Sequence, residues 1–503
     1  MQAIFESIFV TMRVRNSYKF PIVEKARYRM RKIVDGIKMY GKEVVAAVKA
    51  GDIWTRLSLV FMGAGYFGRK QFVKGALMTL IELGFFLFTF GFSWEYIAKL
   101  NTLGTVQREE VFDIVTMTKT VNDYDNSLLI LLCGIIGILF LFAFAALYVS
   151  NIKVVYRLQR MQENGEHINS FLEDCKELVN GKFHITLLTL PSLGVLLVNI
   201  IPILFMIGIA FTNYDMDHQP PTYLFTWVGL QNFKALFTST TTVTFGYVFF
   251  RVLFWTLIWA FLATTTTFLG GILLAIFINH KMIRCKKLWR TLFVITIAVP
   301  QFVTLLLVGK MFGDYGIVNS ICKEIGLTAF LQDIGLVSKG LSFIPFLSKP
   351  GWAHVMIVLV NIWVGVPYQM LSATGILMNI PGDQLESARI DGASELQIFW
   401  QIKMPYILFV TGPSLITAFI SNINNFNVIY LLTSDYVTSN MKYANSNAKE
   451  VDLLVTWLFT LTNDYSNYKM ASVIGICVFV ICAALTLITF SRMIAGNKEE
   501  EFQ

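Results

Sequence analysis

The chain has 503 residues, of which 55% are hydrophobic and 15% charged, with a mean hydropathy of +0.60. A soluble domain carries about 25% charged residues, so ordinary soluble, disordered and collagen-like classes are excluded. The formal charge of +8 is not a nucleic-acid footprint, because the basic residues lie between apolar blocks, where membrane orientation accounts for them.

Residues 1–71 read as a cytosolic lead. The apolar run 4–10 is interrupted by Glu6, so it does not read as a signal peptide. Arg27, Arg29, Arg31 and Lys32 alternate with Tyr28, Met30 and Ile33, a pattern that suits either an amphipathic segment on anionic lipid or a solvated helix. The stretch 53–67, with Trp54, Leu57, Phe61 and Tyr66, is the better interfacial segment. Blocks that meet the roughly 20-residue requirement of a membrane helix follow at 73–97, 127–149, 185–211, 245–279, 291–312, 352–380, 406–432 and 470–491. The expected fold is therefore an all-α integral membrane protein with eight transmembrane helices. Residues 72–184 hold two spans and a cytosolic loop, 185–492 a six-span core, and 493–503 a cytosolic tail.

Orientation follows from Lys and Arg. With the N-terminus inside, the inner segments carry 29 and the outer loops 10; without residues 1–74 the ratio is still 14 to 10. Both termini are expected to be cytosolic. Glu82, within the first span, reads as a carboxylate with a structural partner near the inner interface rather than an ion-coupling site. Arg251 and Lys310 lie near span ends and can snorkel. The six cysteines show no paired spacing, so no disulfide framework or metal site is expected.

The most informative stretch is the loop 381–405, PGDQLESARIDGASELQIFWQIKMP. Asp383 followed by Glu386 reads as a capping pattern that opens a short helix. Asp391-Gly392 reads as its stop, since Gly takes the left-handed conformation a helix end needs. Ser394 followed by Gln397 is a second capping pattern, and Pro405 is expected to stop that helix before the seventh span. Leu385, Ala388 and Ile390 give the first helix an apolar side suited to a partner's groove.

Glu386-Ser387-Ala388, Asp391-Gly392-Ala393, Phe399, Ile402 and Met404-Pro405 resemble the "EAA" loop of importer-type ABC transporter permeases. That pattern is Glu-Ala-Ala, three residues, Gly, then about nine residues to Ile-x-Leu-Pro. This chain departs from it at Ser387 and Met404. The resemblance implies a type I ABC importer permease fold in the bacterial plasma membrane. It also implies that the loop docks on cytosolic ATPase subunits through Glu386, Ala388, Asp391, Gly392 and Ala393. The chain has no G-x-x-x-x-G-K-[ST] phosphate loop, so the two ATPases are expected as separate polypeptides. They, and not this chain, would hold ATP and Mg; the chain needs no cofactor of its own and is no enzyme.

Leu269-Gly270-Gly271-Ile272, Asn279, Arg290, Pro300, Asn361-Ile362-Trp363-Val364-Gly365-Val366-Pro367-Tyr368, the run 422–432 and Asp452-Leu453-Leu454-Val455 are similar to the larger membrane subunits of maltose and maltodextrin importers. The resemblance implies a second related permease as heterodimer partner, an oligosaccharide substrate and an extracellular sugar-binding protein. The outer segment 212–244 is too short for a large periplasmic domain. That resembles versions from single-membrane bacteria, whose binding protein is a surface lipoprotein.

Sugars stack C–H faces on aromatic rings and hydrogen-bond to amides. Trp363 and Tyr368 flank Gly365 and Pro367, while Asn422 and Asn425 share one helical face. By resemblance Trp363, Gly365, Tyr368, Asn422 and Asn425 are substrate contacts. Ser421 and Ala418 depart from the family's maltose-binding pattern, which leaves a galacto-oligosaccharide or another glucan open beside maltodextrin. An ion-coupled secondary transporter would need a coupling site and paired broken helices, for which Glu82 is weak support. A membrane enzyme is disfavoured by five scattered histidines.

Overall fold

The computed structural model describes residues 41–42, 44–113, 118–238, 244–280 and 282–500. The cluster Arg27, Arg29, Arg31 and Lys32 lies outside them. Two compact units result, one formed mainly by residues up to 208 and the other mainly by residues from 209 onward.

The first unit opens with α1 (Ile53–Leu57) and α2 (Ala64–Phe67), which lead into the apolar helix α3 (Phe72–Lys99). A short antiparallel hairpin follows, β1 (Glu110–Asp113) with β2 (Thr118–Val121), pairing Glu110 with Val121 and Asp113 with Thr118. Apart from this hairpin and an isolated bridge between Thr212 and Trp227, the regular structure of the described residues is helical, in keeping with the all-α expectation. α4 (Ser127–Glu163) has 37 residues, about 55 Å at 1.5 Å per residue, so it outruns a hydrocarbon core of about 30 Å. α5 (Phe171–Val179) is opened by a full capping box between Ser170 and Glu173, and α6 (Phe183–Ala210) is the third long apolar helix.

Small residues and aromatic rings bring α3 and α4 together. A Cβ on Gly134 would fall 2.2 Å from Leu100, and one on Gly137 2.0 Å from the Ser93 hydroxyl. Close approach of this kind is how membrane helices gain van der Waals contact without a hydrophobic driving force. Phe85 stacks on Phe144 with ring centroids 3.6 Å apart.

The non-helical turn between α1 and α2 is held by side chains from these two helices. The Met62 N–H donates to Glu82 Oε2 at 2.8 Å, Asn151 Nδ2 donates to the Met62 carbonyl at 3.1 Å, and the Tyr148 hydroxyl donates to the Leu59 carbonyl. Glu82 therefore has the structural partner expected of it. Arg69 is buried and donates to the Gly65 carbonyl at 2.6 Å and to Thr55 Oγ1 at 2.8 Å. Ile53, Trp54, Leu57, Val60 and Phe61 present their apolar faces outward.

In the second unit α7 (Phe245–Asn279) is the central helix, with buried residues along its whole length. After it come α8 (Lys286–Ala298), α9 (Gln301–Met311), α10 (Pro350–Met378), α11 (Gly382–Ile390), α12 (Glu395–Ile398), α13 (Met404–Ile423), α14 (Phe426–Leu432), α15 (Leu454–Asn463) and α16 (Tyr468–Glu500). α7 crosses α10 at the pair Gly270-Gly271. A Cβ on Gly271 would meet the Gln369 carbonyl carbon at 2.7 Å and the Met370 nitrogen at 2.9 Å. Trp259, Val360, Leu305, Val308, Val428 and Leu432 join α7, α10, α9 and α14 in one buried cluster.

Among the described residues seven helices are long and apolar enough to cross a membrane. The expected span 291–312 is instead two pieces, α8 and α9, separated by Val299 and Pro300, both with ψ near +127°. Proline has no N–H to donate and pushes the residue before it out of the helical region. The expected span 406–432 is one of the seven, within Glu395–Leu432, but its helix is interrupted between Ile423 and Phe426. There Asn425 leaves the helix and its side chain accepts the Val428 N–H at 3.3 Å, as an N-cap.

Candidate functional site

The loop 381–405 folds as the helix–turn–helix read from its sequence, with two local corrections. α11 begins at Gly382 after Pro381, with no side-chain cap. Asp383 therefore lies in the first turn, where its charge complements the helix dipole, instead of capping. Pro405 does not end the second helix. It sits at the start of α13, and the widened π turn Phe399–Lys403 before it takes up the missing hydrogen bond, so the run from Glu395 continues into the membrane helix.

The turn itself is as expected. Gly392 has φ +79°, a left-handed conformation in which a Cβ would be strained. The N–H of Ala393 donates to the Ala388 carbonyl at 2.9 Å and that of Gly392 to the Arg389 carbonyl at 3.1 Å. Ser394 and Gln397 form a reciprocal capping box. Arg389 clamps the two helices by donating to Glu395 from Nε and Nη2 at 3.1 and 3.0 Å. Glu386 and Asp391 are exposed, and Ala388 and Ala393 half-buried. Ile390 is 85% and Leu396 71% exposed, a pair of large apolar side chains on either side of the turn.

The aromatic pair of α10 faces the broken helix. Trp363 and Tyr368 are 55% and 52% exposed. Both line a cavity of 210 Å³ with Val299, Gln301 and Thr304, at the break between α8 and α9. Trp363 also borders a more apolar cavity of 320 Å³ with Trp289, Leu292 and Phe293. Gly365 serves packing: a Cβ there would stand 2.7 Å from Thr267 Cγ2 on α7.

Asn422 and Asn425 are not among the residues lining these two cavities. Asn422 Nδ2 donates to Thr264 Oγ1 at 3.0 Å, its carbonyl accepts the Trp259 indole N–H at 3.1 Å, and Asn425 Nδ2 donates to Asn422 Oδ1 at 3.2 Å. The amides thus bind α13 to α7 across the interruption. Irregular backbone at membrane depth persists where its polar groups are met in this way or line a cavity. At the end of α9 remote from Pro300, Lys310 pairs with Asp435 beside a cavity of 390 Å³ that Tyr315 and Ser348 also line. The hydrogen bond from Lys310 holds the Asp435 carboxyl below its usual range.

Residues 267–496 match the family described as binding-protein-dependent transport system inner membrane component. The Bacillus subtilis galactooligosaccharides transport system permease protein GanP is 32% identical over 449 residues, 88% of this chain and 97% of its own. The chain belongs to this permease family. The maltodextrin transport system permease protein MalC of Streptococcus pneumoniae is 31% identical over 449 residues, covering 88% of this chain and 96% of that one. The maltose/maltodextrin transport system permease protein MalF of Salmonella typhimurium is 28% identical over 280 residues, 55% of this chain and 51% of its own.

In this permease the structure adds Gln301, Thr304 and Thr264 to the residues singled out from sequence. Thr264 begins the run Thr264-Thr265-Thr266-Thr267 in an apolar helix, and that run was the available signal. Thr267 sits one turn further, against Gly365, so a single turn of α7 touches both sets of expected contacts. Gln301 and Thr304 gave no comparable signal, because their cavity exists only where the helix breaks.

Proposed function

We propose that this permease is a translocation subunit of an ATP-driven importer of oligosaccharides. Maltodextrin is the first substrate and galacto-oligosaccharide the second reading. The observation that carries the proposal is the exposed, rigid helix–turn–helix at 382–398, whose projecting Ile390 and Leu396 suit a groove on a separate ATPase. Glu386, Ala388, Asp391, Gly392 and Ala393 form its contact face. Both termini and this loop lie in the cytosol, in keeping with the Lys and Arg bias. A related second permease completes the pathway, and an extracellular lipoprotein delivers the sugar. Trp363 and Tyr368 supply stacking surfaces beside Gln301 and Thr304. Asn422 and Asn425 shape the same path, and Gly365 lets α10 approach α7. ATP and Mg reside on the ATPase pair. The galacto-oligosaccharide reading is favoured by the GanP relative, which is 32% identical to this chain against 31% for MalC.

The test is ATP hydrolysis by the reconstituted complex with its binding protein, titrated with maltose, maltotriose, longer maltodextrins and galacto-oligosaccharides. Stimulation by maltodextrins supports the first reading, and stimulation by galacto-oligosaccharides alone supports the second. Uptake driven by an ion gradient through the chain alone would sink both. Gly392→Pro fixes φ near −65° where +79° is needed. It is expected to abolish sugar-stimulated hydrolysis while leaving the complex assembled; normal stimulation would remove the coupling role from this loop.

A further inference from the structure

In the first unit a cavity of 550 Å³ opens at the end of the α3–α4 pair that carries the N-terminus of α3. It is roofed by the amphipathic helix α5, whose position is fixed by Lys74 Nζ and Gln71 Nε2, both donating to the Asn169 carbonyl at 2.7 and 2.8 Å. Three cations reach it from three elements, Lys74 of α3, Arg157 of α4 and Lys182 ahead of α6. Lys74 is paired with Asp174 and Lys182 with Glu177. Arg157 is exposed and has no ion-pair partner among the described residues, which leaves the cavity one positive charge in excess. The opposite wall is apolar, formed by Leu77, Met78 and Leu158, and Leu77 is 45% exposed on the membrane-facing helix α3.

Position follows from chain length. Arg157 stands 30 residues beyond Ser127, about 45 Å along the helix, past the roughly 30 Å of hydrocarbon. Lys74 is two residues from the start of the apolar helix α3. The cavity therefore lies at headgroup depth, with cations toward water and an apolar wall toward the acyl chains. Basic pockets between membrane helices at this depth bind anionic headgroups. We propose that this cavity is a binding site for one anionic phospholipid. Its phosphate sits against Arg157, within reach of Lys74 and Lys182, and an acyl chain runs along Leu77 and Met78.

The full-length chain, purified in detergent, is titrated with phosphatidylglycerol, phosphatidylcholine or sn-glycerol 1-phosphate, and retained lipid is read by native mass spectrometry. The wild type is expected to retain one phosphatidylglycerol and to bind phosphatidylcholine weakly. Arg157→Glu should lower phosphatidylglycerol affinity roughly tenfold, Arg157→Lys should restore most of it, and Arg160→Glu, one turn away and outside the cavity, should change it little. Circular dichroism checks that each variant keeps its helices. Equal retention by wild type and Arg157→Glu overturns the proposal. So does an equal loss in Arg160→Glu, which would mean diffuse surface attraction. Binding of sn-glycerol 1-phosphate as tight as that of the lipid would reassign the cavity to a soluble phosphate and overturn it too.

Discussion

Asp452 shows how one buried group sets a pH response. It is buried outside the membrane helices, its Oδ2 accepts the Lys449 N–H at 2.7 Å, and its Oδ1 accepts the Thr456 hydroxyl at 2.9 Å. Burial outweighs these bonds and raises the carboxyl to about 6 from an ordinary 3.8. A folded-state value above the unfolded one means the native protein holds the proton more tightly. This contribution to stability is fully present below about pH 4 and is lost as pH rises through about 6. The slope of thermal stability between pH 4 and 6 should therefore shrink in Asp452→Asn; an unchanged slope would assign it to other groups. At this scale the sequence was legible where chemistry is local. Gly392 needed its left-handed turn, and Glu82 needed a partner. The partners themselves were not legible, because the Met62 N–H and the Thr264 hydroxyl meet Glu82 and Asn422 across 20 and 158 residues of chain.

Elements were read well where a long apolar run is uninterrupted, as in α3, α4, α7 and α10. They were misread where a run contains a residue that redirects the backbone. Hydropathy averages over Pro300, so it reports one span where α8 and α9 are two short pieces; over the amides at 424 and 425 it reports the crossing correctly but not the break between α13 and α14. Pro405 misled in the opposite direction, since a π turn accommodates it inside a continuous helix. The crossing of α7 on α10 depends on Gly271, which the Leu269-Gly270-Gly271-Ile272 run had already marked. Its absent side chain leaves room for the backbone of Gln369 and Met370. Gly271→Ala forces a methyl to within 3 Å of main-chain atoms that cannot rotate away. It should destabilise the chain by about 1–3 kcal/mol. Thermal unfolding in detergent measures this, and an unchanged midpoint would show that the helices separate without loss.

For the whole molecule, most of the long helices followed from apolar runs in the sequence, while the two-unit division and the cavity under α5 depend on contacts between distant segments. The turn at residues 58–63 carries a consequence for how the protein is made. Its backbone groups are satisfied by Glu82, Tyr148 and Asn151, the last of them about ninety residues downstream. A peptide group left bare in hydrocarbon costs several kcal/mol, so the turn has no stable place in the bilayer while α4 is still inside the ribosome. A turn made before either helix that holds it is thus among the last pieces to settle, waiting at the aqueous surface until two later helices have been laid in. A nascent chain halted before residue 127 should leave residues 53–70 open to added protease, and one extended past residue 163 should protect them. Protection in the shorter chain would mean that α3 alone is a sufficient berth.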